Sequence, residues 1–292
     1  MQKTGWLIVN EFLHGVKYEE LYAMLSAAAR KRGVSLQMKT NAELMHEVGG
    51  APDLPLPDFA IFWDKDVYLC RSLERLGVRT FNSAQAIENC DNKIRTAELL
   101  MGAGIRSPRT IVAPKTFENV GHSSTDFLER AVKALGLPMV IKEAYGSFGQ
   151  QVYLAKTYGE VLSIVERIGH KDFLMQGFVA TSKGRDIRVN VVGDKVVASM
   201  LRENKKDFRS NVSGGGVPRK TTITQAQEQA AIAASKAMGL DFAGVDVLFG
   251  ENGEPIICEV NSNPHFKSTY QSTGVDMSEH ILDYILMNTS KK

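Results

Sequence analysis

Short apolar runs alternate with helical patterns over the N-terminal third of the chain. Leu21, Leu25 and Ala28 recur at helical spacing between two of these runs, which predicts an amphipathic helix. Strands are predicted at 6–9, 36–38 and 59–63. Strands that alternate with helices are typical of a parallel sheet covered on its faces. We therefore expect an α/β domain of βαβ type over residues 1–88.

Beyond residue 88 the pattern changes to that of an α+β protein in two lobes, over residues 89–177 and 178–292. Strands are predicted at 110–112, 138–141, 151–154, 173–175, 186–192 and 196–201, with two more between 243 and 261. Helices are predicted at 82–104, 124–135, 158–168, 225–238 and 277–287. The expected fold is thus α/β followed by α+β.

The composition is that of an ordinary globular protein, with 43% hydrophobic and 23% charged residues. A net charge of +2 gives no overall field that would attract nucleic acid or an anionic membrane. No apolar run is long enough for a transmembrane helix, and no signal peptide precedes the first strand. Cys70, Cys90 and Cys258 are odd in number, far apart and without a CxxC motif, which argues against a disulfide framework and a zinc site. We expect a cytoplasmic protein.

Several common catalytic motifs are absent from the sequence. Without a Gly-Lys dipeptide there is no Walker P-loop, and neither GxGxxG, GxSxG nor HExxH occurs. The six histidines are scattered. Nucleophilic and histidine–metal chemistry therefore have no support from motifs, although a triad assembled from distant residues remains open.

The segment 243–261 has the composition of a hairpin that carries two carboxylates. Asn252-Gly253 lies between two apolar runs, as expected for a two-residue type I′ turn. With that turn, Asp246 lies directly opposite Glu259, and Asn261 shares the face of Glu259. Like charges at such a pair repel unless a cation lies between them.

An all-oxygen set of two carboxylates and one amide favours Mg²⁺ or Mn²⁺ over zinc. Since Mg²⁺ keeps positions open for substrate phosphates, the hairpin suggests a nucleotide site. The alternative is a pair of solvated carboxylates at the edge of a hairpin.

Two lysines are candidates to meet phosphate. Lys142 ends an apolar strand, where an ammonium group is costly unless an anion meets it. The loop that follows is bracketed by Gly146 and Gly149 and can offer backbone N–H groups to phosphates. Lys93 opens a predicted helix. A snorkelling Lys142 and a solvated Lys93 are the alternatives.

The segment 202–216 is basic and ends in three glycines, so it is either a solvated loop or a docking surface for phosphate or carboxylate. Asp186 and Arg188 share one face of the preceding strand. Arg202 joins that face if the turn at Gly193-Asp194 has three residues, and leaves it if the turn has two. The sequence leaves this register open.

In chain order, these features resemble the motifs of the ATP-grasp superfamily, most closely its RimK-type amino-acid (glutamate) ligases, over residues of about 90 to 287. The resemblance is carried by Lys93, Lys142 with its Gly-Ser-Phe-Gly loop, Asp186, Arg188, the segment 207–216, Asp246, Glu259 and Asn261. It implies a two-lobed ATP-grasp fold behind an N-terminal βαβ domain, with ATP held between the lobes.

The resemblance also implies roles for individual residues. ATP would be bound by Lys93, Lys142, Gly146, Ser147, Gly149, Gln176, Gly177, Phe178, Asp186 and Ser210. Metal ligands would be Asp246, Glu259 and Asn261, holding Mg²⁺ or Mn²⁺, with two ions expected. Arg188 and Arg202 would be catalytic, and they would bind the substrate together with Arg209, Asn211, Gly214 and Gly215.

The resulting hypothesis is an ATP- and Mg²⁺-dependent carboxylate–amine ligase that works through an acyl phosphate. An amino acid, with glutamate the first candidate, would be joined to a peptide, a protein C-terminus or a small carboxylate. Nucleic acid and membrane partners are not expected, and a homo-oligomer is possible from the resemblance alone. The alternatives are an ATP-binding regulator without turnover, and a kinase that needs no amine. The sequence does not identify the carboxylate acceptor or the amine donor, nor does it give the number of residues added.

Overall fold

The structure is a computed structural model that describes residues 2–289. It has the mixed α/β and α+β architecture that the sequence predicts, with three sheets. The strand orders are β2-β1-β3-β4 in the N-terminal sheet, β5-β8-β6-β7 in the central sheet and β11-β10-β9-β12-β13 in the C-terminal sheet.

The N-terminal sheet is parallel throughout, as expected for βαβ units. Its elements are β1 (Thr4–Val9), α1 (Val16–Lys31), β2 (Ser35–Thr40), β3 (Phe59–Phe62), α2 (Val67–Arg75) and β4 (Arg79–Phe81). The three predicted strands and the first helix are confirmed, whereas α2 and β4 were not predicted. Both missed elements are short, and β4 has only three residues, too few for a clear period.

Helices α1 and α2 cover opposite faces of this sheet. Leu21 and Leu25 of α1 pack in one core cluster with Leu7 of β1. Leu69 of α2 packs in another cluster with Ile8, which points to the other face of β1. The chain therefore leaves β1 and β3 toward opposite faces, which makes the carboxyl ends of these two adjacent strands the place where an open α/β sheet is expected to form a crevice.

The central lobe is built on an antiparallel sheet. Its elements are β5 (Thr110–Val112), α5 (Asp126–Leu135), β6 (Met139–Glu143), β7 (Val152–Ala155), α6 (Tyr158–Ile168) and β8 (Phe173–Gly177). All six agree with the prediction within two residues at each end. The predicted helix over 82–104 is instead two helices, α3 (Ala84–Asp91) and α4 (Lys93–Gly102), because Asn92 leaves the helical conformation and caps α4.

The C-terminal sheet is also antiparallel. Its elements are β9 (Arg185–Val192), β10 (Lys195–Glu203), β11 (Val217–Lys220), α7 (Gln225–Met238), β12 (Phe242–Phe249), β13 (Pro255–Asn261), α8 (Lys267–Thr273) and α9 (Met277–Asn288). Strand β11 and helix α8 were not predicted. No helix within residues 2–289 is long and apolar enough to span a bilayer.

The core clusters show which units share an interior. One cluster joins Leu7 and Phe59 of the N-terminal sheet to Phe242 of β12 and Ile281 of α9. The cluster of the central lobe consists of residues between Ile111 and Met175, all of them from that lobe. The N-terminal domain and the C-terminal lobe therefore have a common core, while the central lobe has its own.

Asn82 joins the N-terminal domain to the C-terminal lobe by four hydrogen bonds. Its fully buried amide donates to the carbonyl oxygens of Phe242 and Ser262, at 2.9 and 2.8 Å. Its Oδ1 accepts from the N–H groups of Asp241 and Phe242, at 2.7 and 3.2 Å. All the hydrogen-bonding capacity of the side-chain amide is thus used between two units.

We expect Asn82→Ala to lower the free energy of unfolding by about 2 to 4 kcal/mol, because it leaves several buried backbone groups without partners. The measurement is urea or thermal unfolding followed by circular dichroism. Asn252→Ala, in the exposed hairpin loop, is the matched control and should stay within about 0.5 kcal/mol of the wild type. An unchanged midpoint for Asn82→Ala would contradict the assignment of Asn82 as an interdomain contact.

Candidate active site

A cleft lies between the central sheet and the C-terminal sheet. All ten residues predicted to bind ATP line it, and so do Arg209, Asn211, Asp246 and Glu259. Arg188, Arg202, Asn261, Gly214 and Gly215 are predicted site residues that do not line this cleft.

The two lysines lie where α4 meets the glycine loop, which we define as residues 144–151. Lys93 is the first residue of α4, and its Nζ donates to the carbonyl oxygen of Gly146 at 3.0 Å. Lys142 is in β6 and is only 8% exposed, with its Nζ 3.7 Å from Cys258 Sγ. Burial lowers the pKa of Lys93, Glu259 opposes this shift and Lys142 adds to it. Two ammonium groups and one carboxylate therefore share one end of the cleft.

The glycine loop needs its glycines for backbone conformation. Gly146, Phe148 and Gly149 all have positive φ, at 139°, 58° and 73°. A Cβ at Gly149 would also lie 3.2 Å from Asn211 Oδ1, in the opposite lobe. Because Gly146 and Gly149 have no side chains, the backbone of the loop can lie close to the cleft.

Charged side chains of alternating sign cross the C-terminal sheet in adjacent strands. Arg188 of β9 pairs in register with Asp246 of β12, which pairs in turn with Glu259 of β13. On the other side of β9, Asp186 is opposite Arg202 of β10. Two arginines and three carboxylates thus occupy paired positions on adjacent strands of the sheet.

The position of Arg202 depends on a β-bulge. The turn between β9 and β10 has two residues, because Lys195 pairs with Val192, and such a turn by itself was expected to place Arg202 off the shared face. The register then shifts between Val196 and Ala198, so that one extra residue brings Arg202 opposite Asp186. The bulge therefore places Arg202 on the face of Asp186 and Arg188, the position that a three-residue turn would also have given.

A second bulge acts in the hairpin that carries the carboxylates. The predicted pairing of Asp246 with Glu259 is confirmed, but the predicted two-residue turn is wrong. Phe249 pairs with Pro255 around a five-residue loop, and Gly250 N–H donates to the Glu254 carbonyl at 2.8 Å. An extra residue at Cys258 restores the register that the longer loop would have shifted.

The two arginines hold Asp246 in a buried network. Arg188 donates to both carboxylate oxygens of Asp246, through its Nε and, at 3.0 Å, through its Nη2. Arg202 donates to Asp186 from its Nε at 2.7 Å and lies 3.0 Å from Asp246 Oδ1. Burial opposes the charge of Asp246, but Arg188 and Arg202 together hold its pKa below the ordinary range. The Nη1 group of each arginine makes no hydrogen bond within residues 2–289.

The three predicted metal ligands differ in how far their oxygens are engaged. Glu259 makes no hydrogen bond or ion pair within the described part of the chain. Asn261 donates from its Nδ2 to the Gly244 carbonyl at 3.1 Å. Its Oδ1 accepts no hydrogen bond within residues 2–289. Asp246 Oδ2 accepts one hydrogen bond and retains a lone pair. Within residues 2–289 no group of three His, Cys, Asp or Glu side chains could hold a metal ion, so a metal site on Asp246 and Glu259 would need the amide oxygen of Asn261 as a third ligand. These oxygens fit a hard divalent cation.

The loop over residues 204–216 closes the cleft from the C-terminal lobe. Arg209 donates from its Nη1 to the Gly149 carbonyl at 2.5 Å and from its Nη2 to Asp207 at 2.8 Å. The Asn211 carbonyl accepts from Gly214 N–H and Gly216 N–H, both at 3.0 Å. The Asp207 partner raises the pKa of the Arg209 guanidinium. Arg209 therefore joins the two lobes directly, across the mouth of the cleft.

Several lining residues were not identified from the sequence. The apolar part of the cleft is formed by Pro108, Val140, Val152, Val179, Phe208 and Leu248. Apolar side chains in a strand are read as core, and only the fold shows which of them face a cleft. The N–H groups of Phe178 and Val179 donate no hydrogen bond in the described part of the chain, whereas Gly177 N–H donates to Arg109. Free backbone donors and apolar walls suit a flat heteroaromatic ring.

Comparison with known proteins identifies the family. The sequence model of the RimK-like ATP-grasp domain matches residues 90–285. N-acetylaspartylglutamate synthase A of Homo sapiens is 36% identical over 240 residues, which are 80% of this chain and 60% of that protein. A probable alpha-L-glutamate ligase 1 of Shewanella sp. (strain ANA-3) is 40% identical over 218 residues, 74% of this chain and 69% of that one.

The fold agrees with that of solved ATP-grasp ligases. The structure of the ATP-grasp ligase PsnB with a phosphomimetic variant of minimal precursor, Mg and ADP superposes with a TM-score of 0.71 at 16% identity, covering 99% of each chain. The chain spans about 60% of the length of the human synthase. The resemblance drawn from the motifs is confirmed: the chain belongs to the RimK-like ATP-grasp family.

Proposed function

We propose that this protein is an ATP- and Mg²⁺-dependent ligase that joins an amine to a carboxylate. The observation that carries the proposal is the cleft itself, which is lined by the buried Lys142, the half-buried Lys93 and carboxylates of the C-terminal sheet, Asp246 and Glu259 among them. Some relatives are named as glutamate ligases, and others as synthases of a compound that contains glutamate. This similarity supports amide formation as the reaction.

ATP would lie with its adenine against the apolar walls, near the free N–H groups of Phe178 and Val179. Its phosphates would meet Lys93, Lys142 and the glycine loop. The structure of PsnB holds Mg and ADP, which supports the same ligands here. Asp246, Glu259 and Asn261 would hold one or two Mg²⁺ ions, which would offset the charge of the phosphates.

The carboxylate substrate would approach the γ-phosphate from the side of Arg188. Its Nε and Nη2 groups donate to Asp246, so its orientation is set in advance. Its Nη1 group is then the donor that would meet the substrate carboxylate in a charge-assisted hydrogen bond. Arg202 is fixed in the same way by Asp186 and would act behind it.

The reaction would take place in two steps. A carboxylate oxygen attacks the γ-phosphorus, the bond to the ADP oxygen breaks, and an acyl phosphate forms. The neutral amine then attacks the acyl carbon, loses its proton and displaces inorganic phosphate. Arg188 and the lysines stabilise the charge that develops in both steps, so no covalent bond to the enzyme is required. Glutamate is the first candidate for the amine, from the names of the relatives.

The test is a screen of amino acids, singly and paired with peptides and small carboxylates, with Mg²⁺-ATP present. We expect ADP release that requires both a carboxylate and an amine, and a product with the mass of the two substrates minus water. ADP release that needs no amine, with a phosphorylated product, would identify a kinase and overturn the proposal. ATP binding without turnover in every pairing would favour a regulator.

A further inference from the structure

A group of polar side chains lies at the crevice of the N-terminal sheet, outside the nucleotide cleft. Asn10 follows β1, and Asp64 follows β3 after one residue, so both lie at the carboxyl ends of the two strands whose helices diverge. Tyr22 comes from α1 and Asn263 from the segment after β13. In open α/β sheets, such crevices are where ligands bind.

Asp64 is a buried carboxylate without a cation. It is 7% exposed and accepts from the Asn10 amide, at 3.1 and 3.2 Å, and from Lys65 N–H at 2.7 Å. No lysine, arginine or histidine forms an ion pair with it in residues 2–289. The Lys65 ammonium group is bound to Asp91 instead, and that of Lys17 lies 4.0 Å above the Phe148 ring. A buried charge left unpaired in this way is costly.

Two further polar atoms in this crevice are buried and make no hydrogen bond within the described chain. They are the phenol oxygen of Tyr22, whose side chain is more than nine-tenths buried, and Oδ1 of Asn263. Asn263 is held in place because its Nδ2 donates to the Asp64 carbonyl at 3.0 Å. Burial and then the Asp64 charge raise the pKa of Tyr22 to about 12, so this phenol stays neutral beside the carboxylate.

These atoms define the chemistry of a ligand. A carboxylate, an amide oxygen and a phenol oxygen can all accept hydrogen bonds, and together they suit a compact cation with several N–H donors. A primary ammonium group has one positive charge and three donors, which matches this set. An anion or an acetylated amine does not match it, because neither supplies a positive charge to pair with the Asp64 carboxylate.

We infer that this crevice holds an ammonium group of the carboxylate substrate, which is therefore an amino acid or a peptide with a free amino group. The inference rests on the proposed function. An ammonium group paired with a buried carboxylate stays protonated and cannot attack an acyl phosphate. It is consequently a recognition group and not the attacking amine.

The crevice lies next to the proposed metal ligands along the chain. Asn263 follows Asn261, the last residue of β13, after one residue, and the chain bends at Ser262 and Asn263. The side of the crevice is closely packed, because the Trp63 ring beside Asp64 stacks on Phe242 at 5.3 Å and meets Phe266 edge-on at 5.7 Å.

The experiment uses hydroxylamine as the amine, since it traps acyl phosphates of any carboxylate as hydroxamates. Amino acids and dipeptides are compared with their N-acetyl counterparts as the carboxylate substrate. We expect kcat/KM for the free-amino compound to exceed that for the acetylated one by about 10- to 100-fold, the usual effect of losing a charged hydrogen-bonded partner. Equal turnover of the two forms would overturn the inference.

Variants locate the effect. Asp64→Asn removes the charge and keeps the shape, and should remove most of the preference for the free amine while leaving KM for ATP unchanged. Tyr22→Phe should reduce the preference several-fold. The matched controls are Asp53→Asn and Tyr68→Phe, two exposed side chains without hydrogen bonds, which should keep it. A full preference in Asp64→Asn would overturn the inference.

A binding measurement separates this inference from the proposed function. If no carboxylate gives a hydroxamate or ADP, the proposed function fails, and the same compounds are then tested by thermal shift in the presence of Mg²⁺ and a non-hydrolysable ATP analogue. Stabilisation by free-amino compounds alone, lost in Asp64→Asn, would support the crevice as an ammonium site. Equal shifts, or none, for free and acetylated compounds would overturn it.

Discussion

Replacing Glu259 by Gln should reduce kcat/KM by about 10²- to 10³-fold, the size of effect that follows when one preorganised electrostatic contribution to a transition state is removed, here through a weakened metal site. Glu259 lines the nucleotide cleft and makes no hydrogen bond or ion pair within residues 2–289, so its carboxylate serves no structural contact there. The substitution keeps the size of the side chain. The measurement is steady-state ADP release at several Mg²⁺ concentrations.

Stability should not fall in this variant. Glu259 lies directly opposite Asp246, and like charges at a cross-strand pair repel, so removing one leaves the melting temperature equal or higher. Glu251→Gln, in the exposed hairpin loop, is the control and should keep full activity. Near-normal turnover in Glu259→Gln, with an unchanged dependence on Mg²⁺, would remove Glu259 from the metal site.

Arg202→Met should lower the free energy of unfolding by about 3 to 5 kcal/mol, the typical cost of removing one partner of a buried ion pair. Arg202 is 4% exposed and is the partner of both Asp186 oxygens. Asp186 then remains buried and unpaired. The double variant Arg202→Met with Asp186→Leu should recover most of the loss, because an apolar pair carries no unpaired charge.

The control and the pH dependence identify the cause. Arg219→Met breaks an exposed pair with Glu203, 3.8 Å apart, and should cost at most about 1 kcal/mol. In the wild type, Arg188 and Arg202 overcome the effect of burial and lower the pKa of Asp246. Its contribution is therefore complete above the ordinary carboxyl pKa and is lost as pH falls through the lowered value. The difference between wild type and Arg202→Met should shrink on acidification, and a constant difference would argue against an electrostatic origin.

Much of the fold and many residues of the candidate site could be predicted from the sequence because the signals are local. The period of apolar residues places most strands and helices, although it does not show the break at Asn92, whose side chain caps α4. The cross-strand pairing of Asp246 with Glu259 was predicted from a two-residue turn that does not form. The pairing is nevertheless correct, because the bulge at Cys258 offsets the register shift that the longer loop causes. Bulges have no reliable sequence signal, so the register of Arg202 could not be decided.

The features that could not be predicted depend on contacts distant in sequence. Nothing near Asp64 or Tyr22 in the chain indicates that Asn263 will join them. In the same way, Asp186 shares a strand face with Arg188, but its engagement by Arg202 becomes visible only when the strands are paired. The apolar lining of the cleft, such as Leu248, looks like ordinary core until the lobes are placed together.

The division of the interior has a mechanical consequence. Because the N-terminal domain and the C-terminal lobe share one core and are tied by Asn82, we expect them to move as one unit, with the separately cored central lobe moving relative to it. The hydrogen bond from Arg209 to the Gly149 carbonyl joins the two and would break on opening. Lys142 belongs to the central lobe, whereas Lys93 starts α4, whose Leu100 packs with the C-terminal sheet. Opening would therefore move Lys142 away from Lys93, the proposed metal ligands and the crevice at Asp64, which keep their spacing, and would admit the nucleotide.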